Sequence, residues 1–156
     1  MNDNSISIVN LNSGEILDTK YKSTDTKFTI RGHKMYNNGV LSLLDVLTNK
    51  EIKTLIGMYD SKTIGYGNIF TMPFHKLTEG MDKSIRSRYK KKLVDNNIIL
   101  QYRGKIMLNP FTFLPKIDKN VQNYGYRVQQ MWKYLTEDQD IFDSEMGELI
   151  DHVFGI

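Results

Sequence analysis

The chain has 156 residues and a net charge of +3, and its 40% apolar and 25% charged side chains are the balance of a folded domain rather than a disordered one. No cysteine is present, which excludes disulfide frameworks, cysteine–zinc and iron–sulfur sites and thiol catalysis. No apolar run approaches the roughly 18–20 residues of a membrane span, and the first residues lack the basic start and apolar core of a signal peptide, so a cytoplasmic protein without membrane contact is expected.

In chain order, residues 5–20 read as a β-hairpin, with Ile6 and Ile8 on one arm, Ile16 and Leu17 on the other, and Asn12-Ser13-Gly14 as the turn. Residues 21–27 are polar and read as a loop, and 28–31 as a short strand. Val40, Leu43, Leu44 and Leu47 then fall at helical spacing on one face. Thr48 with Glu51 three residues later is a capping box, so two helices are expected, over 38–47 and 49–59. The second carries Ile52, Leu55, Ile56 and Tyr59 as its apolar stripe. Residues 60–67 are a loop, 68–72 have strand character up to Pro73, and 74–80 read as a short helix ended by Gly80. Asp82 is placed to cap a third full helix over 83–95, with Ile85, Tyr89 and Leu93 as its core face. A second hairpin follows, with strands at 98–102 and 105–108 around Arg103-Gly104. Residues 126–135 form a helix with Val128, Met131, Trp132 and Leu135 on one side. That stripe is either core or a homodimer face. The end of the chain is acidic, and is either a short helix at 144–153 or mobile.

Charge is segregated along this order. Residues 1–75 carry +1, residues 76–133 carry thirteen Lys and Arg against four acids, and residues 134–156 carry seven acids with no Lys or Arg. A basic middle points to a polyanion partner. The helix at 83–95 presents Lys83, Ser84, Ser87 and Lys91 opposite its apolar face, flanked by Arg88 and Lys90, so that Lys83, Ser84, Ser87, Arg88 and Lys91 would enter the groove and Lys90 and Lys92 hold phosphates. Arg can pair with guanine through two hydrogen bonds, Ser can bond a base edge, and lysines meet phosphates. Arg103 and Lys105 sit at the tip of the following hairpin, where they would meet backbone phosphates or the minor groove.

The order helix, helix, strand, short helix, basic helix, hairpin is that of a winged helix-turn-helix, in which the basic helix enters the major groove and the hairpin is the wing. The expected fold is therefore α+β, a winged helix-turn-helix with an N-terminal β-hairpin and a C-terminal helix. Its parts are a hairpin and linker (1–27), a DNA-binding domain (28–115), a C-terminal helix (116–136) and an acidic tail (137–156).

The run Leu93-Val94-Asp95-Asn96-Asn97-Ile98-Ile99, followed by Arg103-Gly104-Lys105-Ile106-Met107-Leu108-Asn109-Pro110-Phe111, resembles the RepL-type plasmid replication proteins and their phage relatives. Those proteins share a basic helix, an isoleucine pair, a basic residue with glycine, and a strand closing on Asn-Pro-aromatic. The resemblance covers about residues 28–135, and the Gly14-Glu15-Ile16 hairpin fits it too. The stretch from Glu79 to Ile85 departs from the small-residue turn usual there. The resemblance implies a double-stranded DNA-binding protein acting in initiation or control of plasmid or phage replication. A transcriptional regulator on the same fold is one alternative. An adaptor that binds a host protein through the acidic tail is another.

Catalytic and cofactor patterns are missing from the sequence. His33, His75 and His152 are far apart and form no metal-binding pair, which argues against a nicking enzyme. Gly65-Tyr66-Gly67 begins a dinucleotide fingerprint, but Phe70 stands where the third glycine is needed. No phosphate-binding loop of the G-x4-G-K type occurs. A non-enzymatic protein without cofactor or metal is expected.

Overall fold

A computed structural model of the chain describes residues 27–30, 33–116, 122–137, 140 and 142–155. The hairpin expected at 5–20 lies outside these residues. The described elements make an α+β fold with two separate two-stranded antiparallel sheets. They are β1 (Lys27–Ile30), β2 (His33–Tyr36), α1 (Asn37–Val46), α2 (Asn49–Asp60), α3 (Phe74–Leu77), α4 (Lys83–Asp95), β3 (Ile99–Tyr102), β4 (Lys105–Leu108), α5 (Tyr124–Thr136) and α6 (Ser144–Phe154). Among the described residues no helix is long and apolar enough to cross a membrane.

Local signals account for most of these boundaries. The break between α1 and α2 falls at Thr48, whose Oγ1 accepts from the Glu51 amide at 3.2 Å while the Thr48 amide donates to Glu51 Oε1 at 2.9 Å. Two donors that the helix itself cannot satisfy are thereby paired. Asp82 does precede α4, but its side chain makes no capping bond. The β3–β4 turn places Arg103 at φ 50° and Gly104 at φ 75°, the left-handed geometry that a two-residue hairpin needs.

Glu51 also ties α2 to α4. Burial works to raise its carboxyl, but the Thr48 amide and the Lys92 ammonium, 2.9 Å away, outweigh it and hold the group below its ordinary value. A carboxyl with a depressed folded value stabilises the fold above its unfolded value and stops doing so as pH falls through the folded one. Glu51→Gln should therefore be less stable than the parent at pH 7, with the gap closing in acid below the ordinary glutamate range. Denaturant titrations at several pH values measure that gap.

Two apolar clusters share the β3–β4 sheet. The first joins Met35, Leu43, Leu55, Tyr59, Tyr89 and Leu93, from the elements before the hairpin, and Phe113 after it to Ile99, Ile106 and Leu108. The second joins Val128, Met131 and Trp132 of α5 and Leu149, Ile150, Val153 and Phe154 of α6 to Met107 and Ile69. Successive residues of a strand face opposite sides, so β4 serves both clusters, Ile106 and Leu108 on one side and Met107 on the other.

The expected strand at 68–72 shrinks to Ile69 and Phe70. Ile69 bridges Met107, and the Phe70 amide donates to the Ile106 carbonyl at 2.9 Å, so the pair extends the hairpin edge. Left-handed geometry at Gly67 and Asn68 and the missing donor at Pro73 leave room for no more. β2 had no sequence signal of its own, since His33 and Lys34 are polar. It is held by pairing with β1 and by a bridge from Met35 to Phe113.

Two side chains also depart from the faces their spacing predicts. Leu44 was placed on the apolar stripe of α1 but is 56% exposed. Ile85 was placed on the core face of α4 but is 44% exposed. At about 100° per residue, steps of four drift by about 40° each, so Ile85 stands about 80° from Leu93. Arg86 lies only about 20° from Leu93 on the same count and takes the inward position. The stripe of Val128, Met131 and Trp132, for which the spacing allows core or a dimer face, is core. All three are buried against α6 of the same chain, and Leu135 packs at the margin of that cluster.

Within the acidic end, α6 forms over Ser144–Phe154. Asp143 caps α6 by accepting from the Met146 amide at 2.7 Å, and Met146, Leu149, Ile150, Val153 and Phe154 are buried. Its exposed side carries Glu145, Glu148 and Asp151.

Candidate nucleic-acid interface

α4 stands out on the surface because it is anchored by two residues and basic elsewhere. Tyr89 and Leu93 are buried, and the Tyr89 hydroxyl donates to the Glu51 carbonyl at 2.8 Å. Burial, with the Glu51 charge second, pushes the Tyr89 phenol above its usual range, so it stays a neutral donor. The tyrosine ring packs on Phe74 of α3, centroids 6.1 Å apart. Arg86 fixes the other end of α4 to α3. Its Nε donates to Thr78 Oγ1 at 2.9 Å, and its Nη2 donates to the Thr78 and Met81 carbonyls at 3.3 and 3.1 Å. All three acceptors are neutral, so these bonds leave its charge uncompensated.

The remaining side chains of α4 divide by surroundings. Lys83, Ser84, Ser87, Arg88 and Lys91 are exposed. Lys91 leans on Asp95 at 2.9 Å, an exposed helical pair whose hydrogen bond raises the lysine above its ordinary value. Lys90 reaches over the Phe74 ring, 5.8 Å from its centroid. Lys92 is drawn away to Glu51 and faces α2 rather than solvent on the basic side.

The hairpin tip differs from expectation in one respect. Lys105 is exposed, but Arg103 is held by α6. Its Nη1 donates to Asp151 Oδ1 and to the Gly155 carbonyl, both at 2.7 Å, and its guanidinium lies 5.3 Å from the Tyr102 ring centre. The Asp151 hydrogen bond raises the arginine above its ordinary value. α6 takes up a second cation as well, Arg127 pairing with Glu145 at 3.6 Å.

Between α4 and the hairpin lies a cleft of about 1080 Å³. Lys83, Arg86, Ser87 and Lys90 line it from α4, Lys105 from β4, and Lys116 from beyond the hairpin. Among the described lining residues there is no carboxylate. None of Lys83, Lys90, Lys105 and Lys116 forms an ion pair with a described residue. The fold thus brings Lys83, Ser87, Lys90 and Lys105 together around one cleft, leaves Ser84, Arg88 and Lys91 on the outer face of α4, and turns Lys92 and Arg103 to other partners.

Sequence reasoning passed over Arg86, Lys116, Tyr66, His75 and His152, which also line this cleft. Arg86 had a usable signal, its place on the 86/89/93 stripe. The others come from loops, from α3 and from α6, and their meeting is a property of the fold. Among the described residues no group of three or more His, Asp or Glu side chains could hold a metal ion.

Comparison with protein-family models, curated proteins and solved structures finds no match.

Proposed function

We propose that the chain is a winged helix-turn-helix protein that binds double-stranded DNA, with α4 in the major groove and β3–β4 as the wing. The observation that carries this reading is the run of exposed side chains Lys83, Ser84, Ser87, Arg88 and Lys91 on a helix anchored from behind, with Lys105 beside it. An α-helix fits the major groove, which offers base edges to Arg and Ser and phosphates to Lys. The pairing of Ile69 and Phe70 with the edge of β4 supports the wing, since it gives the hairpin a third partner, and α3 followed by α4 supplies the helix pair. The proposed task is initiation or control of plasmid or phage replication, which follows from the resemblance to RepL-type proteins. Action as a transcriptional regulator would use the same surface. Footprint protection at origin repeats supports the replication role, and protection at a promoter supports the regulator.

The test is a binding series on duplex DNA over salt concentration. Arg88→Ala should weaken binding to the preferred site by about 1–3 kcal/mol. Lys105→Ala should weaken binding to all duplexes and reduce the log–log salt slope by about 0.9. Parent-like binding by both variants would refute the reading.

A further inference from the structure

The wall of the cleft facing α4 is built by the turn after α2, and it displays an aromatic ring. Tyr66 is 54% exposed and stacks on His152 of α6, ring centroids 5.9 Å apart and planes 18° apart. The backbone behind it is held in an uncommon conformation. Gly67 has φ 64° and Asn68 has φ 65°, left-handed geometry that glycine and asparagine adopt more readily than other residues and that the surroundings hold in place here.

Those surroundings are visible. Asn68 is fully buried, its Nδ2 donates to the Phe113 carbonyl at 2.8 Å, and its Oδ1 accepts from the Lys116 amide at 3.3 Å. A side chain at position 67 would meet Val153 of α6 at 2.8 Å. The backbone that carries Tyr66 is therefore held in place at the rim, beside a lining that includes Phe70, Ile106 and Val153.

A flat exposed ring, an apolar lining and a rim of Lys83, Arg86, Lys90, Lys105 and Lys116 without carboxylates match one chemistry, that of a nucleotide with its base unstacked. The base lies on the tyrosine and the phosphates on the cations, the arrangement by which single strands are held. A closed duplex would offer this cleft only phosphates, because its bases are stacked inside. The volume, about 1080 Å³, is at the upper end of the roughly 300–1,000 Å³ typical of ligand pockets, enough to take a nucleotide.

We propose that the cleft between α4 and the β3–β4 hairpin binds unpaired nucleotides of single-stranded DNA, with Tyr66 as the stacking platform. This rests on the reading of the chain as a DNA-binding protein and extends it: α4 would hold a duplex while the cleft receives a strand freed beside it.

The experiment is fluorescence anisotropy of the full chain with a labelled oligo-dT of about ten nucleotides and, separately, a blunt duplex, with thymidine monophosphate as competitor. Tyr66→Ala should lower oligo-dT affinity about tenfold, in the range found for loss of one stacked base, and leave blunt-duplex affinity within about twofold. Tyr66→Trp should retain oligo-dT affinity, and its indole emission should be quenched when the oligonucleotide is added. Thymidine monophosphate should compete only at far higher concentration. Oligo-dT binding that ignores Tyr66→Ala, or a Tyr66→Trp indole that is not quenched, would overturn the proposal. So would competition by the mononucleotide at the oligonucleotide's own concentration, which would mark a free-nucleotide site. Arg88→Ala separates the two claims. Duplex affinity that responds to Arg88 while oligo-dT ignores Tyr66 overturns only the cleft, and the reverse overturns only the duplex reading.

Discussion

Trp132→Ala is expected to destabilise the fold by about 3–5 kcal/mol, the usual cost of emptying a large aromatic site. Trp132 is 3% exposed and sits in the cluster that joins α5 and α6 to Met107 of the hairpin. The cavity would open in the cluster that α5 and α6 share with Met107, so the loss should be felt beyond α5. Denaturant titration of the variant measures the cost. A loss below about 1 kcal/mol would mean that the α5–α6 cluster is not part of the cooperative fold. The arrangement also changes what removal of residues 137–156 would do. It would strip the cover from Val128, Met131 and Trp132 rather than trim a solvated end, so the charge of α6 has to be studied by substitution of its exposed acids.

Joint replacement of Lys83, Arg88, Lys91 and Lys105 by glutamine is expected to abolish most duplex binding. Each phosphate contact contributes about 0.9 to the log–log salt slope, so losing the three lysine contacts reduces it by between about two and three, at roughly 0.1 M salt a fall of two to three orders of magnitude in affinity, and loss of Arg88 removes its base contact besides. The fold should tolerate the change. All four side chains are exposed, and the pair of Lys91 with Asp95 is a surface pair of the kind worth little to stability. Circular dichroism should match the parent while the binding isotherm shifts. An unshifted isotherm would place the DNA contacts elsewhere on the molecule.

Much of the fold was legible because its signals are local. The Thr48–Glu51 capping box, the spacing of Tyr89 and Leu93, and the Arg103-Gly104 turn each act over a few residues, and each marks an element where it forms. What the sequence did not reveal depends on residues far apart. Arg103 and Asp151 are 48 positions apart, and nothing near either one announces their pairing. The edge pairing of Ile69 with Met107 and the bridge from Met35 to Phe113 are tertiary in the same way. Ile85 was misplaced for a different reason, since a strict spacing of four does not track a helix of 3.6 residues per turn. The candidate interface was half legible. Its α4 cations could be read from charge and phase, whereas Tyr66, Lys116 and His152 reach the cleft only through folding.

The central claim is that the outer face of α4 lies against duplex DNA, and the chain lends itself to a direct measurement because it contains no cysteine. Ser84→Cys and Glu148→Cys place single thiols on exposed positions of α4 and of α6. Each can carry an iron–EDTA group that cuts nearby DNA. The account predicts localised cuts across one major groove from position 84, and cutting no stronger than background from position 148. Diffuse or absent cleavage from position 84, in a variant that still binds the duplex, would contradict it.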